Sequence, residues 1–304
     1  MKRNINLSTT FALIIALAFF AIMPAAAQGP NAAPKNNNSK MLYHNGPVLG
    51  GTVNIYLIWY GCWRAECGPL GSASTQIILA DLVSNLGSTP YFQINTTYPN
   101  LNNPSQVPSG GLFFGGGGID LNYSHGNALT ESDISGIIVD QVLSSQLPVD
   151  PSGVYIVIAS EDISANDVGF CQPGAPASFH GNSTVLGTSF RYGFIGHAAR
   201  CPSVAASQFV AADGSLLPTP NGDLAADAMA SNIAHVLSTM VTNPMGEGWY
   251  DRYGLENATK CQGTYGQTYT TANGARANLR LGYRDFLIQQ NWVNDKRGRC
   301  ALSQ

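Results

Sequence analysis

The sequence predicts a layered α/β or α+β domain, and three observations lead there. Apolar runs rich in β-branched and aromatic residues alternate with segments whose apolar residues recur at helical spacing, the pattern of a sheet covered by helices. No internal repeat or linker-like stretch follows Lys40, so the 304-residue chain reads as one large domain over residues 41–304. The six cysteines, Cys62, Cys67, Cys171, Cys201, Cys261 and Cys300, are an even number, which in an exported chain reads as three disulfides.

Export is itself read from the first residues. Lys2 and Arg3 precede an apolar run over residues 11–23, and Ala25, Ala26 and Ala27 then offer a small-residue cleavage site. That order is the order of a secretory signal peptide over residues 1–27, and the run is shorter than the roughly 20 residues that span a bilayer. Residues 28–40, "QGPNAAPKNNNSK", lack apolar periodicity and read as a flexible leader. No later segment qualifies as a membrane span, so the expected location is secreted or extracellular, with cell wall or periplasm as the specific settings.

Within the domain, Val53, Ile55, Leu57 and Trp59 alternate with Asn54, Tyr56, Ile58 and Tyr60, a strand buried on at least one face that ends at Gly61. Residues 74–86 predict a helix, with Ile77, Ile78, Asp81, Leu82 and Asn85 at helical spacing and Gly87 as its stop. A loop rich in Gly, Pro and Asn is expected to continue through "GGLFFGGGGID". Residues 130–147 predict the next helix, with an apolar stripe of Ile134, Ile137, Ile138, Val142 and Leu143 and a stop at Pro148. "GVYIVIAS" and "FRYGFIGH" predict two more strands, and "RDFLIQQNWV" a final helical segment.

Composition excludes some partners. Removing Lys2 and Arg3 from 15 basic residues against 18 acidic ones leaves an excess of five acids. No basic patch suited to nucleic-acid phosphates is present. Six cysteines allow many pairings; nearest-neighbour pairing (62–67, 171–201, 261–300) is the expectation. N-x-S/T sequons stand at Asn37, Asn95, Asn122, Asn182 and Asn257. The chain lacks a G-x-S-x-G elbow, and the glycine run at 115–118 lacks the Lys-Ser/Thr of a phosphate loop, so it reads as a mobile loop.

The long helix predicted after "TPNGD" concentrates the candidate chemistry. Asp223 can cap or charge its start and Pro244 stops it. At about 100° per residue, Met229, Ile233, Val236, Leu237 and Met240 share one face, and Ser231, His235, Ser238 and Thr239 the other. His235 should therefore point to solvent or into a cleft. A zinc-protease helix needs ligands at i and i+4 and a Glu after the first His, but Val236 and Thr239 occupy those positions. His44, His125, His180 and His197 lie beside Gly or Asn in loop-like settings. Asp251 and Glu256 flank a glycine turn and are the candidates for calcium. His235, Asp251 and Glu256 are thus the metal candidates, with zinc or calcium as the possible ions. The residues themselves favour no cofactor and no catalytic assignment.

"YHNGPVLGGTVNIYLIWYG", "GVYIVIASEDI…GFC", "FHG", "RCPS", "PNGDLAADAMASNIAHVLSTMVTNPMGEGWYD" and "KCQGTYG" occur in that order. In these blocks the chain resembles the phosphate-induced protein family, which includes the plant EXORDIUM proteins; Cys62 and Cys67 depart from the plant pattern. The long helix and its loop also resemble secreted zincin-like proteins reading His-Glu-Leu-x-Glu, Thr-Asp-Pro and Gly-Trp-x-Asp. Matches stand at His235, Leu237, Thr242, Pro244, Gly248, Trp249, Asp251, Gly254, Glu256, Lys260 and Cys261. Departures stand at Val236, Thr239 and Asn243. These resemblances imply a single zincin-like domain with a mixed sheet against long helices, whose catalytic pair is lost. The leading reading is a pseudoenzyme that binds an extracellular glycan, peptide or protein. The alternatives are a metal-dependent hydrolase or peptidase using His235, and an inert structural domain.

Overall fold

A computed structural model describes residues 39–64, 66–67, 71–173 and 177–304. The expected signal peptide and nearly all of the expected leader lie outside the described residues. The strands are β1 (Met41–Tyr43), β2 (Gly51–Tyr60), β3 (Pro108–Asp120), β4 (Val154–Ala159), β5 (Ser178–Val185), β6 (Thr188–Ile195) and β7 (Trp249–Asp251). Six short ones follow: β8 (Tyr269–Thr270), β9 (Arg276–Ala277), β10 (Leu279–Leu281), β11 (Arg284–Phe286), β12 (Asn291–Val293) and β13 (Arg299–Ala301). The helices are α1 (Ala73–Leu86), α2 (Glu131–Leu143), α3 (Pro202–Ala205), α4 (Leu224–Thr242) and α5 (Asn257–Lys260).

A five-stranded mixed sheet in the order β3-β2-β4-β6-β5 forms the centre. Its first four strands are parallel, and β5 runs antiparallel to β6 along one edge. Every residue of β4 is buried, as a strand covered on both faces requires. α1 packs against α4, and α2 touches β3, β4 and β5. Side-chain directions along β6 separate the layers. Tyr192 reaches Glu131 at the start of α2, whereas the position of a Cβ at its neighbour Gly193 would lie 2.7 Å from Val236 of α4. The predicted α/β layering is present, in one domain.

Local chemistry sets the helix boundaries. Ser72 caps α1 by accepting from the Thr75 amide, a Thr130/Asp133 capping box starts α2, and Asp223 caps α4 by accepting from the Ala226 amide. Thr75 also donates to Asp223 at 2.6 Å, which ties two helix starts together. The buried stripe of α1 is Ile78, Leu79, Leu82, Val83 and Leu86. Ile77, expected in the stripe, is 55% exposed. α2 ends at Leu143, short of the expected 147, because Ser145 turns into the left-handed region at φ +60°.

Two segments correct the sequence reading. "GGLFFGGGGID" is most of edge strand β3 rather than a mobile loop, paired in parallel with β2. Its glycines allow close cover: a Cβ at Gly115 would meet the Tyr56 ring at 2.7 Å, and one at Gly118 would meet Gln141 Oε1 at 2.1 Å. A glycine run in a strand marks this kind of approach. "RDFLIQQNWV" is not helical but supplies β11 and β12. Between them Leu287 and Ile288 are buried, and Asn278 binds the backbone of Ile288 through both its amide and its carbonyl. A short apolar run fits either element by periodicity.

The disulfides pair Cys62–Cys67, Cys171–Cys201 and Cys261–Cys300, as expected. Among the described residues no helix is long and apolar enough to cross a membrane. Of the sequons, Asn122 and Asn182 are exposed. Asn95 and Asn257 are fully buried and hydrogen-bonded to each other at 3.1 Å, so neither side chain is available to carry a glycan in the folded chain.

Candidate functional site

The long helix α4 is buried nearly all round, which changes the meaning of its polar face. Val236, on the apolar face, packs into the sheet at Gly193. On the other face Ser231, Ser238 and Thr239 are buried too, because the C-terminal third of the chain closes over them. The Gln289 amide donates to Ser231 Oγ at 3.0 Å, and Asn257 donates to the Ser238 carbonyl at 3.2 Å. Thr239 turns its hydroxyl back to the Val236 carbonyl, a common way for a buried Thr to be satisfied within a helix. Beyond Leu224 at its start, only Asn232 and His235 of α4 are partly exposed.

Both line a cavity of about 270 Å³ under α4, walled by β5, the segment after Gly246 and the turn at Gln289. Asn243, the C-cap of α4, donates from its amide to Glu256 Oε1 at 2.7 Å and accepts from the Gly248 amide. His180 of β5 meets the other Glu256 oxygen at 2.9 Å. Glu256 is therefore held by an imidazole and an amide. Burial would raise its pKa, but His180 and Asn243 together hold it below the ordinary range. Burial likewise opposes charge on His180, yet Glu256 outweighs it and raises that pKa. The two form an ion pair with no net charge.

His235 has the opposite character. Burial, reinforced by the nearby positive His180, pushes its pKa down to about 4 against the pull of Glu256. The surrounding bonds also fix its tautomer. Gln289 Oε1 accepts from the Gly263 amide, and its Nε2 donates to the Ala258 carbonyl at 2.7 Å, so the second Nε2 hydrogen faces His235 Nδ1 at 3.2 Å. Nδ1 is the acceptor, and the ring proton sits on Nε2, 3.5 Å from the Thr259 hydroxyl. A metal-binding histidine that coordinates through Nε2 instead donates from Nδ1 to a second partner. Together with Val236 and Thr239 locked in the core, this arrangement does not fit catalytic zinc. Among the described residues, no group of three or more His, Cys, Asp or Glu side chains could hold a metal ion.

The structure sends the two acidic candidates to different places. Glu256 belongs to the cavity, while Asp251 is fully buried in an ion pair with Lys260 at 2.8 Å. Despite burial, Lys260, Ser39 and the amides of Leu255 and Tyr253 hold the Asp251 pKa down. Its carboxylate is fully engaged in the turn. The other histidines disperse. His44 stacks on Tyr250, His125 pairs with Asp140 and Asp133 on α2, and His197 lies buried after β6 with its Nδ1 unpartnered. Sequence reasoning missed the convergence of His180 with Glu256 and the roles of Asn232 and Gln289. Gln289 was hidden in the segment read as helix; no local pattern marks the others.

Comparison with known proteins defines the class. The conserved region of phosphate-induced protein 1 matches residues 41–280. The chain is 31% identical to protein EXORDIUM-like 3 of Arabidopsis thaliana over 285 residues, covering 84% of this chain and 81% of that protein. It is 30% identical to EXORDIUM-like 5 of the same plant over 84% of this chain and 76% of the relative. Against PHOSPHATE-INDUCED 1 of Nicotiana tabacum it is 26% identical over 83% and 82%. No solved structure matches. The chain belongs to the phosphate-induced protein 1 family, the family that includes the EXORDIUM-like proteins.

Proposed function

We propose that this protein is an extracellular binding domain whose ligand occupies the cavity beside His235, and that it is not a peptidase. The observation that supports this most is the state of the cavity's ionisable groups. Glu256 is tied to His180 and Asn243, and His235 is a neutral imidazole with its proton on Nε2. Among the described residues nothing there is poised as a free base, whereas neutral donors and aromatic surfaces line the space. The three disulfides suit an oxidising compartment. The frame of α4 and its following loop suits descent from a zincin-like ancestor whose base and second ligand are replaced by Val236 and Thr239.

The test has two arms. Purified protein is analysed for metal, with His235→Ala alongside; no stoichiometric zinc is expected, and zinc that disappears in the variant would overturn the reading in favour of a metal hydrolase. Wild type and an Asn232→Leu variant, both checked for folding, are then passed over immobilised extracellular glycan, peptide and protein fractions. Retention of wild type that the variant loses is expected. No retention on any fraction would refute ligand binding.

A further inference from the structure

Resting on the binding reading above, we infer that the cavity under α4 recognises a neutral saccharide, held between the Tyr250 ring and the uncharged donors of Asn232 and His235. The charge balance comes first. Among the described residues, the cavity's one carboxylate and its one paired imidazole neutralise each other at 2.9 Å, and both Glu256 oxygens are already bonded. A ligand carrying a carboxylate, phosphate or ammonium would be desolvated without a free counter-charge, which is costly. Hydroxyl groups demand no such partner.

The donors come second. Asn232 lines the cavity, and its Nδ2 is enclosed without a hydrogen-bond partner; an unpaired amide costs free energy until a turn of the side chain brings it to an acceptor. His235 Nε2–H has only a long contact to Thr259. Two neutral donors on successive turns of one helix, the His235 one held by Gln289, suit adjacent hydroxyl or ring oxygens.

The third argument is shape. The Tyr250 ring lies parallel to His44, with centroids 3.5 Å apart and planes 2° from parallel. His44 also contacts the Tyr250 carbonyl at 3.2 Å. One ring face is thereby covered and braced, and Tyr250 also lines the cavity. A braced aromatic plane lining the same cavity as amide and imidazole donors matches the two-sided character of a sugar, apolar across its C–H face and polar at its edge. A volume of about 270 Å³ lies near the lower end of small-molecule pockets, about 300 Å³, and suits a short saccharide.

Isothermal titration of the full chain with neutral mono- to trisaccharides, their uronic acid counterparts and end-capped tripeptides tests the inference. Neutral saccharides are expected to bind, about tenfold more weakly to Asn232→Ala and to Tyr250→Leu. Unchanged melting temperatures would show that both variants fold. Stronger binding of uronates or of peptides would overturn the saccharide class while leaving a ligand-binding cavity. Saccharide affinity unchanged in both variants would overturn the site. Binding of no probe, with retention on peptide or protein fractions, would also overturn the class, whereas loss of all retention would overturn the binding reading too.

Discussion

At His235 the sequence and its surroundings supply different information. Helical spacing placed this residue opposite the apolar stripe, and it does line a cavity. What periodicity could not supply is the donor on its Nδ1, because Gln289 lies 54 positions away. The depressed pKa has a measurable consequence. The unfolded imidazole titrates near its ordinary value of about 6.5, and the folded one near 4. Between those values the unfolded chain binds more protons, so stability falls as pH drops, by up to about 3 kcal/mol for this residue. His197, also held near 4 by burial, adds to the fall in the same window. His180 acts in reverse: its contribution is complete below about 6.5 and is lost as pH rises through its raised folded value. Chemical denaturation of wild type and His235→Gln between about pH 7 and pH 4 should show a shallower loss in the variant. Identical slopes would mean that His235 is not buried as a neutral ring.

The helix α4 and strand β6 meet through a contact that no motif advertises. A Cβ at Gly193 would stand 2.7 Å from Val236 Cγ1, and valine in a helix has little rotamer freedom with which to yield. Gly193→Ala should therefore cost about 1–3 kcal/mol. The double variant with Val236→Ala should lose less than the two single losses combined, as a double-mutant cycle in urea would reveal. Strict additivity would show that the two do not touch. Elements with long periodic stripes or buried apolar runs, α2, α4, β2, β4 and β6, were legible from the sequence. Those made by long-range cover were not. The glycines of β3 look like a loop until Tyr56 and Gln141 are placed over them. The run at residues 284–293 is held extended by Asn278 and by strands before and after it, partners that a local window does not include.

Across the molecule, a second small core joins the beginning of the described chain to its end. Met41, Val48, Tyr98, Trp249, Cys261 and Trp292 pack together, and Lys260 sits among them with no exposed surface. Its ammonium contacts Asp251 and Ser39 at 2.8 Å and lies 4.4 Å from the centre of the Trp292 ring. A lysine so enclosed is stable only while its partners are present. Lys260→Met should cost about 3–5 kcal/mol by leaving Asp251 charged and unpaired. Adding Asp251→Asn to that variant should recover part of the loss. Equilibrium unfolding of wild type and these two variants decides this, and a mild effect of Lys260→Met alone would contradict a buried ion pair.

The covering of α4 also imposes an order in time. Its polar face is satisfied by groups between Asn257 and Gln289, while its apolar face needs strands completed by Ile195. A chain emerging N-terminus first can assemble the sheet and lay the helix against it well before anything exists to cover the other side. The space beside His235 is then still open to water, and it closes only when Gln289 arrives. The candidate site is thus completed only after the sheet and α4 are in place, and no nascent chain that stops short of Gln289 can carry it.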